Sequence, residues 1–245
     1  MSTNNLSTPA SGRFSLSAAA LHILAMVLML MDHLWATLLP AQDWLACAGR
    51  LAFPIFCFLI AEGCVYTHDR KKYALRLLVF ALLSEIPFNL MNSGMIWDPY
   101  DQNVLWTLLL GALVCWLMDW ALKKCTPLSF VLTGAIMLAA YWLLEIGNTD
   151  YGGWGMLLVA AFYGVHRAPS GAVVKMIAQA FGLAFFSIGV MGGYLSIELW
   201  SLVSLAPIWL YNGQRGFSHK AVQYGFYAFY PVHILILSLI AMYRY

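Results

Sequence analysis

Apolar runs of about 17–25 residues recur along the whole chain, each closed by a short polar, Gly- or Pro-containing interruption, and that is the spacing of helices that cross a bilayer. The pattern predicts helices near 18–39, 44–66, 73–91, 103–122, 127–146, 152–167, 172–191, 194–211 and 222–242. The sixth and seventh are the shortest and most Gly-rich. Residues 1–17 (MSTNNLSTPASGRFSLS) are rich in Ser, Thr and Asn and poor in apolar residues, which predicts a mobile tail ahead of a single membrane-embedded domain at 18–245. The first apolar run has only Arg13 as a basic flank and no A-x-A site after it, so it is expected to stay as a membrane helix.

Composition narrows the class. The chain is 62% hydrophobic and 10% charged, with a mean hydropathy of +0.75. A soluble domain of this size still exposes about a quarter of the surface of its unfolded chain, too much to hide so apolar a composition from water. The expected fold is therefore an all-α, polytopic integral membrane bundle of about nine transmembrane helices, with lipid as its surroundings and no nucleic-acid partner. Cys47, Cys57, Cys64, Cys115 and Cys125 lie in apolar segments or at their ends, without metal spacing. They read as small hydrophobes, and no metal is expected.

Charge sets the orientation, because Lys and Arg near helix ends stay cytoplasmic. With nine helices and a cytoplasmic N-terminus, one side collects Arg13, Arg70, Lys71, Lys72, Arg76, Lys123, Lys124, Arg167, Lys175, Arg215 and Lys220. The opposite loops hold Asp43, Asp98, Asp101 and Asp150 and no Lys or Arg, and the C-terminus is expected outside.

Against this background a few ionisable residues stand inside apolar runs, where an Asp or Arg at mid-helix costs roughly 2.5–3.5 kcal/mol on insertion scales. Asp32 and His33 lie in the first helix, Arg50 in the second, Glu85 in the third and His233 in the last. At 1.5 Å per residue, His33 and Arg50 both fall roughly 7 Å to the outer side of the midplane, Glu85 about 4–5 Å to the same side, and His233 close to the midplane. Four helices thus bring polar groups to one layer, a convergence that adjacency in sequence does not impose. Such a layer is suited to acid–base and electrostatic chemistry: His33 to take a proton, a carboxylate to orient it, Arg50 to stabilise developing negative charge. Glu62, Asp119, Glu145 and Glu198 lie near helix ends and read as structural, and His22, His68, His166 and His219 as interfacial. The Gly-rich runs at 152–155 and 189–193 do not join a strand to a helix, so they are expected to permit close helix packing.

Seven ordered blocks add a further reading: MLMDH (29–33), GRLAFPIFCFLIAEG (49–63), KKYALRLLVFALLSEIPFNL (71–90), QNVLWTLLLG (102–111), NTDYGGWGMLL (148–158), LYNGQRG (210–216) and FYAFYPVHILIL (226–237). Together they resemble the TraX family of membrane proteins, named for a conjugative-plasmid protein that acetylates the N-terminus of pilin. The resemblance runs almost end to end and leaves out the first 17 residues. It implies a membrane-embedded acyltransferase of the bacterial inner membrane that uses acetyl-CoA. The matching positions are Asp32, His33, Arg50 and Glu85 as catalytic residues, with Asn103, Tyr230 and His233 contacting substrate. His33 is then the general base, oriented by Asp32 or Glu85, with Arg50 on the thioester carbonyl. Arg70, Lys71, Lys72, Lys123 and Lys124 are the expected contacts for the phosphates of coenzyme A. The acceptor is an amine or hydroxyl, on a protein N-terminus, a glycan or a small molecule. The alternative is a transporter or flippase that uses the same charged layer as a substrate or proton path.

Overall fold

The computed structural model describes residues 15–190, 195–217 and 219–244. Arg13 and most of the expected tail lie outside them. Helices α1 (Ala18–Thr37), α2 (Asp43–Gly49), α3 (Ala52–Tyr66), α4 (Arg70–Asn92), α5 (Val104–Lys124), α6 (Pro127–Ile146), α7 (Gly152–Arg167) and α8 (Ala172–Gly189) follow in order. The chain continues through α9 (Leu195–Glu198), a 3-10 segment (Leu199–Ser204), α10 (Leu205–Trp209) and α11 (Lys220–Arg244). Among the described residues seven stretches are long and apolar enough to cross a membrane, with α2 and α3 joined as one. The two expected spans outside that set are α7, which has 16 residues, and the broken 195–209 stretch. α7 is short because it runs through the protein interior, where its length need not match the hydrocarbon thickness. Gly153, Gly155, Met156, Leu158, Val159, Phe162 and Tyr163 are all buried along it.

Local chemistry explains where the helices start and break. Asp69 caps α4 by accepting from the Lys72 amide at 3.0 Å, and Thr126 opens α6 with a capping box followed by Pro127 at the first turn. The interruption between α2 and α3 falls at Arg50 and Leu51. Pro54 explains it: the ring has no N–H to offer the Arg50 carbonyl four residues back, and it would clash with that carbonyl in a continuous helix. The second span is thereby bent at Arg50.

Direction alternates from one span to the next. The start of α1 meets the end of α10, where the Leu16 amide donates to the Leu210 carbonyl at 2.8 Å. α1 and α11 run the same way, with His22 stacked on Phe226 near one end and His33 against His233 further along. Asp119 near the end of α5 binds Arg70 at the start of α4 and Arg167 at the end of α7. At the other end Gln102 and Thr149 bridge the segments that lead into α5 and α7. One end of the bundle therefore carries Arg70, Lys71, Lys72, Lys123, Lys124, Arg167, Lys175 and Arg215, and the first and last described residues lie at opposite ends. The outward faces of α6 and α8 expose Leu128, Val131, Leu138, Leu143, Val173, Phe181, Phe185 and Ile188, an apolar jacket that suits lipid rather than water. With the basic end in the cytoplasm, reporter fusions after Lys72 and after Tyr245 should report opposite compartments; matching reports would remove this orientation.

The glycines of 152–155 and 189 serve close packing. A side chain on Gly153 would enter the Tyr141 ring, one on Gly155 would meet Phe53 and Thr107, and one on Gly189 would strike Trp154.

Candidate active site

Toward the end opposite the basic cluster, Met29, Asp32, His33, Gly49, Ala52, Phe53, Phe56, Val104, Leu108, Asp150, Tyr151 and Tyr230 enclose a cavity of about 50 Å³. The wall is mostly apolar, and the polar groups in it converge from three places in the chain.

Asp32 and Arg50, which the sequence places in one layer, form an ion pair with each other. Arg50 Nη2 donates to Asp32 Oδ1 at 2.8 Å, and Nη1 donates to Glu198 Oε1 at 3.0 Å. The guanidinium thus ties α1 to α9 through the break in the second span. Gly49 makes this possible, because a β-carbon there would overlap the Asp32 side chain. Gly49→Ala should displace Asp32 from Arg50 and lower the thermal stability of the detergent-solubilised protein by an amount typical of overpacking, about 1–3 kcal/mol; an unchanged melting temperature would contradict the contact.

His33 presents Nδ1 to His233 Nε2 at 2.6 Å, and His233 Nδ1 lies 2.6 Å from the Phe229 carbonyl oxygen. Neither carboxylate expected to orient His33 bonds to it. Asp32 is adjacent in sequence, so its side chain leaves the helix about 100° away and turns to Arg50. Glu85 accepts from Trp106 Nε1 at 2.5 Å and from the Asn103 side-chain amide. Asn103 is likewise not at the cavity: it is fully buried, caps α5 by accepting from the Leu105 amide at 3.0 Å, and donates to the Ala81 carbonyl at 2.9 Å. It holds the entry of α5 beside α4 instead of facing a substrate. Tyr230 does line the cavity, and its buried hydroxyl, turned toward the Val104 amide, makes no hydrogen bond of normal geometry.

Three participants were not assigned to the site by the sequence. Glu198, read as a helix-end residue reaching interfacial water, is 7% exposed and paired with Arg50. Asp150 and Tyr151 belong to a loop that folds inward. Thr107 donates to the Asp150 carbonyl at 2.8 Å, and the Tyr151 ring lies flat on Phe53 at a centroid distance of 3.8 Å. Burial pushes the Asp150 carboxyl up to about 7, with Arg50 pulling it back and the charges of Asp32 and Glu198 adding to the rise. A carboxyl raised in the folded state costs stability when it ionises, and the cost grows from about pH 4, where the unfolded group titrates, to full size above about pH 7. Asp150→Asn should therefore raise the melting temperature at pH 8 and leave it nearly unchanged at pH 4; equal shifts at both would contradict the buried environment.

The five cations expected to meet coenzyme A lie at the far end of the bundle. Arg70 and Lys123 are bound to Asp119, Lys72 is bound to Asp69, and Lys71 and Lys124 are exposed. A larger cavity of about 250 Å³ opens at that end, lined by Phe58, Glu62, Tyr66, His166, Lys175 and Tyr211 among others.

Helices long enough to span a bilayer, enclosing a small cavity with an imidazole and a hydroxyl in its wall and a guanidinium held beside it by Asp32, define a polytopic membrane protein. A family profile described as TraX protein matches residues 17–241, and the chain belongs to that family. It is 28% identical over 250 residues to the probable fimbrial assembly protein FimC, serogroup H1, of Dichelobacter nodosus, an alignment that covers 93% of this chain and 96% of that one. It is 29% identical to Protein TraX of Escherichia coli over 145 residues, 59% of this chain and 54% of that one. No solved structure matches the chain significantly.

Proposed function

We propose that this protein is a membrane-embedded acyltransferase of the bacterial inner membrane that moves an acetyl group from acetyl-CoA to an amine or hydroxyl acceptor. The observation that carries the reading is the cavity itself: His33 and the unpaired Tyr230 hydroxyl share a wall inside an apolar enclosure. A volume of about 50 Å³ is room for only a few water-sized groups, which suits a two-carbon acyl group better than a long one. His33 accepts the proton of the attacking amine or hydroxyl. The Tyr230 hydroxyl donates to the carbonyl oxygen as charge develops on it. Arg50, with both terminal nitrogens held by carboxylates, contributes a fixed positive charge behind Asp32 and keeps the cavity wall in place. The acetyl-CoA carrier enters from the basic end, where Lys71, Lys124, Arg70, Lys72 and Lys123 favour its phosphates.

The family and the name of the Dichelobacter relative make an envelope fibre subunit the first acceptor to test, ahead of glycans and small molecules. Purified protein in lipid nanodiscs, incubated with acetyl-labelled CoA and cell-envelope fractions, should move label covalently onto one acceptor. Label that stays in the thioester while a solute crosses vesicles would favour transport instead.

A further inference from the structure

The contact between His33 and His233 fixes more than their proximity. The nitrogens are 2.6 Å apart, the ring centroids 4.9 Å apart and the planes 11° apart. Subtracting the N···N distance leaves only one ring radius on each side, so the rings lie edge to edge in nearly one plane. In that arrangement an N–H on one ring points along the lone pair of the other. The far side of His233 decides which ring donates. Its Nδ1 faces the Phe229 carbonyl oxygen at 2.6 Å, and a carbonyl oxygen only accepts, so Nδ1 carries a proton. In the neutral ring Nε2 is then a bare lone pair, and it accepts from His33 Nδ1. His33 is thereby held with its proton on Nδ1 and its Nε2 lone pair free. Nε2 of His33 has no hydrogen-bond partner among the described residues, and His33 stands in the cavity wall.

We propose that His233 is the positioning residue of this site: it fixes the tautomer of His33 so that Nε2 faces substrate, and it receives the displaced proton during the reaction. This rests on the acyl-transfer reading above. As the acceptor nitrogen or oxygen bonds to the thioester carbonyl carbon, its proton passes to His33 Nε2 and the His33 Nδ1 proton moves to His233 Nε2. When the C–S bond breaks, the proton returns through His33 to the leaving thiolate, so the pair ends each turn as it began. The transient charge on His233 is met by the Phe229 carbonyl and by the Phe229 ring, which lies 4.4 Å away at 19° to the imidazole. In fixing the tautomer of His33 the second imidazole does the work of the carboxylate in a triad; unlike that carboxylate, it also takes up the proton. The two carboxylates expected to orient His33 are engaged elsewhere, Asp32 by Arg50 and Glu85 by Asn103 and Trp106.

The test combines a spectroscopic readout with two variants. Nitrogen-15 NMR of the histidine-labelled protein should show His33 protonated at Nδ1 and bare at Nε2. His233→Leu removes the acceptor, so His33 should revert to the Nε2–H form and kcat for acetyl transfer should fall about 100-fold, with KM for acetyl-CoA little changed. His233→Gln restores an acceptor oxygen but not a second base, so it should keep the Nδ1–H tautomer and recover activity above that of the Leu variant. An Nε2–H form of His33 in the unmodified protein overturns the proposal, as do equal losses of activity and tautomer in the two variants. The NMR result stands apart from turnover: the Nδ1–H form in a protein that never cleaves acetyl-CoA supports the positioning role and removes the acyl-transfer reading alone.

Discussion

If the protein is the proposed acyltransferase, His33→Ala should lower kcat for acetyl transfer by about 10²–10⁴-fold while the protein still inserts, folds and binds acetyl-CoA. The size is that of a general base removed from the chemical step. Folding survives because the side chain makes one hydrogen bond, to His233, and that ring stays anchored on the Phe229 carbonyl when the bond is lost. Donor binding survives because a base acts on the transition state more than on the bound thioester. Single-turnover kinetics on size-purified protein separates these effects. Near-native turnover would send the search for a base to His233.

Arg50→Ala should cost the fold itself about 3–5 kcal/mol, because it leaves Asp32 and Glu198 as uncompensated charges in a site only partly open to water. The effect is expected as a large drop in melting temperature together with loss of activity. Arg50→Lys keeps the charge but not the fork: one ammonium cannot hold the α1 carboxylate and the α9 carboxylate in their present directions. It should fold better than the Ala variant and remain severely impaired in transfer. If Arg50→Ala melts like the unmodified protein, the guanidinium is not the tie between these segments.

The membrane spans were legible in the sequence because lipid demands the same thing at every position, an apolar run of bilayer length. The layer was legible for the converse reason, since an ionisable residue in such a run needs a partner, and Asp32 and Arg50 are partners. What the sequence concealed depends on distant chain segments or on bends. Glu198 reaches Arg50 from 148 residues away, and its position near a helix end suggested water instead. Asp150 and Tyr151 sit in a loop, and a one-dimensional reading cannot tell a loop that folds inward from one that stays at the surface. The bend at Arg50 had a signal, Pro54 four residues on, as did the room for Asp32, the Gly next to that Arg. The side-chain neighbour of His33 was hidden for a geometric reason: adjacency on a helix turns Asp32 away to Arg50, whereas His233, 200 residues away, arrives edge-on.

The most direct test of the central claim is the release of free thiol from acetyl-CoA by the purified protein in nanodiscs, in the presence of an envelope acceptor fraction, with His33→Ala run beside it. The account predicts stoichiometric thiol release and acceptor acetylation by the unmodified protein and none above background by the variant. Thiol release that is equal in the two, or absent from both while the acceptor is present and the protein folded, would contradict it.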